Sequence, residues 1–223
     1  MKNLVVFLLL CCFGTSLFAQ TADQADPAAK RILDRLKAKY EGYKTLEADF
    51  TLILEFPEEE ADEQRGSIQQ SGEKFKLDMA QQMLISDGET VWLYLKNNQE
   101  VQINKAEFDE EEMEGFMSPK DFVGMYESGK FAYVLVDERP ENGRIIQQIE
   151  FKPLDRDSEY SKLRMTIDRD KQEVLRLKAF SKDGSRYTFR MDKLRPNVAL
   201  SDSDFIWKTS ICPDCYVEDL RID

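Results

Sequence analysis

The hydrophobic residues of this chain recur with two different periods. Between residues 28 and 43 they are spaced as on one face of an α-helix, at Ile32, Leu33, Leu36, Tyr40 and Tyr43. Asp26 and Pro27 precede this stretch and suit the N-cap and the first helical position, and Gly42 suits its end. The pattern predicts an amphipathic helix whose apolar stripe has to pack against another element.

From Thr45 onward the period changes to two, which is typical of β-strands with one buried face. One face of the first predicted strand, which ends at Pro57, carries Phe50, Leu52, Leu54 and Phe56. Between residues 83 and 103, three short apolar runs are separated by Asp87-Gly88 and Asn97-Asn98, residue pairs that tolerate the positive φ of tight hairpins. Residues 83–103 are therefore predicted to form three strands of an antiparallel meander.

The middle strand of this meander is apolar on both faces, because Val91, Leu93 and Leu95 alternate with Trp92 and Tyr94. An antiparallel strand of this kind must be covered on both sides or must line a cavity. The pattern alone is equally compatible with an ordinary packed sandwich core and with a cavity wall.

Between residues 107 and 128 the strand pattern stops. This stretch has helical composition, is acidic at its start, and contains a second N-cap pair at Ser118-Pro119. Its apolar residues form a cluster of Met113, Phe116, Met117, Phe122 and Met125. Methionine-rich clusters either fill gaps in a core or form surfaces that repack around changing contents, and the sequence leaves both readings open.

Strand patterns resume near residue 131 and continue to the end, which brings the predicted total to about eleven or twelve strands. A meander of this many strands encloses more space than its own side chains fill. The two helical stretches have apolar stripes and no helix bundle to bury them, so we expect them in the mouth of the sheet. The predicted fold is mainly β (α+β): an open, curled antiparallel half-barrel of about 11 strands, with an α-helical lid over an apolar cavity.

The first residues of the chain predict a cleaved export signal. Lys2 precedes an apolar run over residues 4–13, and small residues that suit a cleavage site follow. The apolar run is shorter than a helix that spans a bilayer. We expect residues 1–19 to be removed as a signal peptide and residues 20–223 to form one domain in the periplasm.

The composition excludes several classes of function. The formal net charge of −12 disfavours nucleic acid as a partner and disfavours tight electrostatic attachment to an anionic membrane. The chain has no histidine, which removes the Ser-His and Cys-His nucleophile pairs and the commonest zinc ligand. Its glycines do not form a phosphate-binding loop. We therefore expect no enzyme, no metal and no cofactor, although hydrolysis by two carboxylates alone stays open.

Cys212 and Cys215 are the two cysteines expected in the exported domain. A closed zinc site needs four ligands, and that domain contains no other Cys or His. Redox-active pairs with this spacing follow a strand and open a helix, whereas the surroundings here are predicted strands. An oxidising compartment favours a local disulfide; free thiols and redox activity are the alternatives.

The order of these features resembles that of the LolA family, periplasmic carriers that ferry lipoproteins to the outer membrane. The N-terminal helix runs into residues 43–51, YKTLEADFT, and Gly66 opens the next strand. Residues 86–94, SDGETVWLY, are similar to the family hairpin S-D-G-x-x-x-W-x-Y. Further along the chain, the family order is matched by Ser118-Pro119, Phe151-Lys152-Pro153 and the hairpin at residues 183–188.

Two features depart from the family pattern. An Arg-Pro pair often follows the second strand in the family, and its arginine helps to hold the lid shut. Residues 71–74 read SGEK here, so that latch does not transfer to this chain. The tail from Ile211 also extends beyond the end of short members and carries the two cysteines.

The resemblance implies a carrier that binds the acyl chains of lipoproteins in a hydrophobic cavity and shuttles them from the inner to the outer membrane. The expected partners are acylated lipoproteins and the inner-membrane lipoprotein-releasing transporter of the family. The outer-membrane acceptor is not identified, and we expect a monomer. An alternative is a periplasmic regulatory domain that senses lipid or lipoprotein and has the same half-barrel fold.

The candidate lipid-contacting residues fall into two groups. Those on the sheet are Phe50, Leu52, Leu54, Phe56, Trp92 and Tyr94. Those in the lid are Ile32, Leu36, Tyr40, Met113, Phe116, Met117, Phe122 and Met125. The pattern does not fix which face of each strand points inward, because a shift of one residue inverts the choice.

Overall fold

The computed structural model describes residues 25–106 and 119–221. The helices in these ranges are α1 (Pro27–Glu41) and α2 (Pro119–Gly124). The strands are β1 (Thr45–Glu55), β2 (Asp62–Ser71), β3 (Lys74–Met79), β4 (Gln82–Ser86), β5 (Thr90–Leu95), β6 (Glu100–Lys105), β7 (Phe131–Glu141), β8 (Arg144–Pro153), β9 (Tyr160–Asp168), β10 (Glu173–Ser181), β11 (Arg186–Pro196) and β12 (Tyr216–Asp219). Single 3₁₀ turns lie at Met125–Glu127, Asp202–Phe205 and Thr209–Ile211.

The strands form one sheet in the order β12-β6-β5-β4-β3-β2-β1-β11-β10-β9-β8-β7. All neighbouring pairs are antiparallel except β12 and β6, which run in parallel. The two meanders, β2–β6 and β7–β10, are joined where β1 pairs with β11. The end strands β7 and β12 do not pair with each other, so the sheet stays open. The predicted open, curled, mainly β fold is confirmed.

One face of the sheet, called here the inner face, is covered by α1 and α2. The apolar stripe of α1 is buried as its spacing predicts, at Ala29, Ile32, Leu33, Leu36 and Tyr40. These side chains join the main core, together with residues of α2 and the inner face of β7–β10 such as Ile149, Phe151 and Met165. Each fully buried large apolar side chain contributes on the order of 1.5–3 kcal/mol, so this packing fixes α1 on the sheet.

The start of α1 is tied to the edge strand β7. Asp26 caps the helix by accepting from the backbone N–H of Ala28 at 2.9 Å, as its position before Pro27 predicts. The same carboxylate accepts from the backbone N–H of Leu135 at 3.0 Å. These two hydrogen bonds hold the pKa of Asp26 below its ordinary value of 3.8, and the bond from Leu135 has the larger effect. The cap therefore also satisfies a backbone donor at the edge of the sheet.

The outer face of β1 and β8–β11 is polar, as expected of an antiparallel sheet with one wet face. Arg195 on β11 donates to both carboxylate oxygens of Asp49, at 2.7 and 2.8 Å, and also reaches Glu47. Lys162 and Arg164 on β9 both pair with Glu150 on β8. These cross-strand ion pairs mark the solvent side of the sheet.

The outer face of β4–β6 is apolar and is covered by the segment that follows β11, which also pairs through Asp202 with Lys74 on β3. Phe205 is fully buried, and the ring of Trp207 lies 5.3 Å from that of Tyr94 on β5. Met83, Ile85 and Val101, which share this face by strand register, are buried as well. The chain then turns through the Cys212–Cys215 disulfide and adds β12 to the edge of β6.

Candidate functional site

A cavity of about 520 Å³ lies on the inner face beside α2. Its lining is almost entirely apolar or aromatic: Phe50, Leu52, Leu54, Ile68, Leu77, Met79, Pro119, Phe122, Glu159, Tyr160, Leu163, Leu177, Ala179, Tyr187 and Phe189. The volume is within the range of about 300–1,000 Å³ that is usual for ligand pockets. The cavity can therefore hold an apolar ligand without a change in the sheet.

Strand register explains why these residues meet. Leu52 on β1 lies opposite Phe189 on β11, and Phe189 lies opposite Leu177 on β10. Residues directly across an antiparallel pair share a face, and so do residues two apart on one strand. The period-two patterns of β1, β9, β10 and β11 thus project onto one surface, which is the cavity wall.

Three aromatic rings form the floor of the cavity. The ring of Phe189 stacks on Phe50 with centroids 4.8 Å apart, and Phe122 of α2 meets Phe189 edge-on, also at 4.8 Å. Gly66 on β2 lies directly beneath Phe50, since a Cβ built on Gly66 would be 2.5 Å from the Cζ atom of Phe50. The absence of a side chain at Gly66 therefore makes room for the ring.

The segment after α2 is held against α1 by polar contacts. Tyr126 donates its hydroxyl proton to Asp34 Oδ1 at 2.8 Å, with Glu127 Oε1 as a second acceptor at 3.1 Å. Lys37 of α1 pairs with Glu127 at 2.8 Å. The hydrogen bond from Lys30, followed by that from Tyr126, keeps the pKa of Asp34 below 3.8. Burial raises the pKa of Tyr126 well above 10, and the hydrogen bond to Asp34 is the second largest cause of this rise. The phenol therefore stays protonated and acts as a donor.

The candidate residues from the sequence are only partly brought together. Phe50, Leu52, Leu54 and Phe122 line the cavity. Phe56 lies just past the end of β1, 39% exposed, with its ring 6.1 Å from that of Tyr187. Met113, Phe116 and Met117 lie outside the described residues.

The remaining lid candidates are core residues rather than cavity residues. Ile32, Leu36, Tyr40 and Met125 are buried in the main core and do not line the cavity. As expected, α1 lies on the inner face of the curled sheet, but it covers β7–β10 and contributes no residue to the cavity lining. The physical reason is its apolar stripe, which packs directly against the inner-face residues of these strands.

Trp92 and Tyr94 lie on the outer face, so their expected place in the cavity lining is corrected. Met83 and Ile85 on β4 lie opposite Tyr94 and Trp92, and their outward side is covered by the tail with Phe205. β5 is apolar on both faces, and either face would satisfy the pattern. The tail, which lies far away in sequence, decided between them.

Sequence reasoning missed most of the opposite wall. Ile68, Leu77, Leu163, Leu177, Tyr187 and Phe189 all line the cavity. Their alternation with polar neighbours was visible in the sequence, but the pairing of β1 with β11 was not. That pairing joins residues more than 130 positions apart.

The described residues offer little chemistry beyond apolar binding. No group of three or more Cys, Asp and Glu side chains in these ranges is placed to hold a metal ion. Cys212 and Cys215 form a disulfide in the tail, away from the cavity lining. In residues 25–106 and 119–221, neither helix combines the length and the hydrophobicity needed to cross a bilayer.

The comparisons with known proteins concern both the sequence and the fold. Residues 41–208 match a family model described as outer membrane lipoprotein carrier protein LolA. No curated protein matches the sequence significantly.

Several solved structures are similar to this one. An uncharacterized conserved protein from Thermus thermophilus superposes with a TM-score of 0.57 at 11% identity, over 86% of this chain and 99% of that one. A LolA superfamily protein from Nitrosomonas europaea gives a TM-score of 0.42 at 11% identity, over 80% and 97%. MucB in the MucA/MucB complex of Pseudomonas aeruginosa gives 0.44 at 16% identity, over 82% and 62%. At 11% identity, the likeness to the Thermus thermophilus protein is one of fold.

Proposed function

The chain belongs to the LolA family, and from this premise we propose that it binds the acyl chains of lipoproteins in the inner-face cavity and carries them from the inner to the outer membrane. The observation that carries the proposal is the apolar cavity between α2 and the inner face of β1, β2, β3 and β9–β11. The site would work by non-covalent burial alone.

The physical need for such a cavity follows from the cost of exposing an acyl chain. Each buried CH₂ group is worth about 0.8 kcal/mol, so one long chain resists transfer into water by on the order of ten kcal/mol. A lipoprotein anchor with two or three chains cannot cross an aqueous compartment unshielded. A wall of Phe, Leu, Ile and Met side chains recovers that free energy by contact with the chain.

The proposed cargo is larger than the cavity as it stands. A volume of about 520 Å³ is that of a small-ligand pocket, so several acyl chains require it to widen. α2 is the element that can yield, because it is six residues long and, among its described side chains, contributes Pro119 and Phe122 to the lining. We infer that loading displaces α2 from Phe189 while α1 stays in place.

The rest of the proposed cycle follows the family. Residues 1–19 would direct export to the periplasm, where residues 20–223 would act as a monomer. The inner-membrane lipoprotein-releasing transporter would supply cargo, and release would follow from higher affinity at an outer-membrane acceptor.

The proposal is tested with the protein as it is exported. Periplasmic protein is purified without detergent, and bound lipid or lipoprotein is identified by mass spectrometry. The Ala179→Phe variant directs a ring into the cavity, whereas Val134→Phe places the same ring on the exposed outer side of β7. We expect acylated cargo with the wild type and with Val134→Phe, and loss of cargo with Ala179→Phe. Recovery of a regulatory protein without lipid would instead support the sensing alternative.

A further inference from the structure

The mouth of the cavity differs in chemistry from its interior. Among the described residues of the lining Glu159 is the charged one, and it lies in the turn between β8 and β9 next to Tyr160. Tyr187 also lines this end. Among the described residues that form the lining, none is a Lys or an Arg. The cavity therefore has an apolar interior and an acidic, aromatic rim.

Three aromatic rings meet at this rim through Tyr187. Phe56 contacts Tyr187 edge-on with centroids 6.1 Å apart and an interplanar angle of 84°. Tyr160 also contacts Tyr187 edge-on, at 6.4 Å and 86°. Phe56 is 39% exposed, so this aromatic group reaches the solvent, and the faces of aromatic rings attract cations.

The Glu159 carboxylate is exposed and available at this position. Its backbone is fixed, because its carbonyl accepts from the backbone N–H of Lys182 at 2.9 Å. Lys182 directs its ammonium to the carbonyl of Arg156 at 2.7 Å. Within residues 25–106 and 119–221, the Glu159 carboxylate forms no ion pair with a Lys or Arg side chain. It therefore remains a candidate partner for a cation carried by a ligand.

Other charged residues near the mouth also favour a cationic ligand. Glu58, Glu59 and Glu60 follow Phe56 closely in the chain and add negative charge near this end of the sheet. The cationic cluster of Lys162, Arg164, Lys178 and Arg186 is gathered around Phe180, which lies on the outer face, on the far side of the cavity wall. The mouth is thus a place where an ammonium group is stabilised and an anionic head group is repelled.

We propose that the cavity selects amphiphiles whose head group carries an ammonium, with the acyl chain on Phe50, Leu177 and Phe189 and the ammonium held by Glu159 and the rings of Tyr160 and Tyr187. This inference rests on the proposed function, since it assigns the polar end of the ligand that the cavity would bind. Two sources supply such a group next to an acyl chain: the amine of a phospholipid head group and a free N-terminal amine of an acylated polypeptide.

The test compares probes that share one alkyl chain and differ in the head group. Dodecylamine, dodecanoic acid and monododecanoylglycerol displace a neutral fluorescent lipid from the full-length exported protein, below their micelle concentrations. A cation over exposed rings together with one exposed ion pair predicts that dodecylamine binds about three- to thirtyfold more tightly than the neutral ester. Dodecanoic acid should bind more weakly than the ester.

Matched variants separate the rim from the overall acidity of the chain. Glu159→Gln should lower the ratio of amine to ester affinity about two- to fivefold and leave ester binding unchanged. Asp157→Asn removes the same charge two residues away, outside the lining, and should leave the ratio unchanged. An equal fall in both variants, or no preference for the amine in the wild type, overturns the inference.

Two further probes identify the source of the ammonium. A lysophosphatidylethanolamine and an S-dodecylcysteinyl peptide with a free α-amine are each compared with their N-acetylated forms. If acetylation weakens binding of the lysophosphatidylethanolamine, the ammonium comes from a phospholipid head group; if it weakens binding of the peptide, the ammonium comes from the polypeptide. If acetylation weakens neither, the inference is overturned. If even the neutral ester fails to bind wild-type protein, the proposed function fails; if the ester binds without an amine preference, only this inference fails.

Discussion

The close approach of Gly66 to Phe50 gives a sharp test of how the cavity floor is built. Replacement of Gly66 by Ala would place a Cβ 2.5 Å from Cζ and 3.0 Å from Cε2 of Phe50, and 3.1 Å from the carbonyl oxygen of Asp78. The φ angle of Gly66 is not in the left-handed region, so alanine is allowed by the backbone itself. Any cost of the substitution is therefore steric.

The direction in which Phe50 must move follows from its surroundings. The ring has to shift by about 1 Å to restore ordinary contact with the new methyl group. The Asp78 carbonyl is backbone and Phe189 stacks on the ring, so the open direction leads into the cavity. We therefore expect Gly66→Ala both to destabilise the fold and to weaken binding of a lipid probe.

The size of the effect combines two opposing contributions. Overpacking of this kind costs about 1–3 kcal/mol. Replacing glycine with alanine stabilises by about 0.4–1 kcal/mol, because it restricts the unfolded chain. The midpoints of these two ranges give an expected fall in the free energy of unfolding of about 1.3 kcal/mol.

A double-mutant cycle with Phe50→Leu isolates the contact. Leucine lacks the distal ring atoms that meet the new methyl group, so Gly66→Ala should cost less in the Phe50→Leu background, with a coupling energy above about 0.5 kcal/mol. Unfolding in guanidinium chloride, followed by circular dichroism, measures all four proteins, and an unchanged m-value supports a common two-state transition. Additive effects, or a Gly66→Ala variant with wild-type stability and probe affinity, would refute the steric reasoning.

Three other predictions follow from the packing and charges described above. Leu36→Ala should cost about 2–5 kcal/mol in chemical unfolding, since Leu36 is 1% exposed within the main core; a small cost would mean that α1 is a loose cover. Hydrogen bonds from Arg195 hold the pKa of Asp49 below 3.8, so this carboxylate stabilises the fold above that pH, and the stabilisation is lost as pH falls through the lowered pKa. Arg195→Gln should therefore weaken the fall in the free energy of unfolding at acid pH, measured by denaturant unfolding at several pH values. An unchanged pH dependence would contradict the pairing. Joint replacement of Cys212 and Cys215 by Ser should shift the denaturant midpoint little, because the closed loop is short and removes little chain entropy, whereas a large loss would show that the disulfide anchors the tail.

Local patterns predicted much of the fold. The Asp26-Pro27 cap, the apolar stripe of α1 and the end near Gly42 are found as the sequence indicates. The Asp87-Gly88 and Asn97-Asn98 turns join β4, β5 and β6 as predicted. These features depend on neighbours within one or two turns of chain, so the sequence contains the whole of their cause.

On the strands, the candidate site was predicted correctly where one face is mostly polar and the other apolar; Phe122 on α2 was also predicted and lines the cavity. Leu52 and Leu54 alternate with Thr51 and Glu55, and they line the cavity as expected. Trp92 on β5 alternates with residues that are also apolar, and its face could not be deduced. Phe189 was missed because nothing in its own strand shows that it meets Phe50.

The sequence by itself determined the elements of this protein, because period, capping residues and turn residues act over a few positions. Only the tertiary structure decided the site. The pairing of β1 with β11 brought two distant halves of the chain onto one wall, the stripe of α1 packed over β7–β10, and the tail with Phe205 covered the outer face of β4–β6. Burial of apolar area is non-directional, so any element that covers an apolar face stabilises the fold to a similar extent. Which face of a doubly apolar strand turns inward therefore depends on which other segment of the chain covers its opposite face.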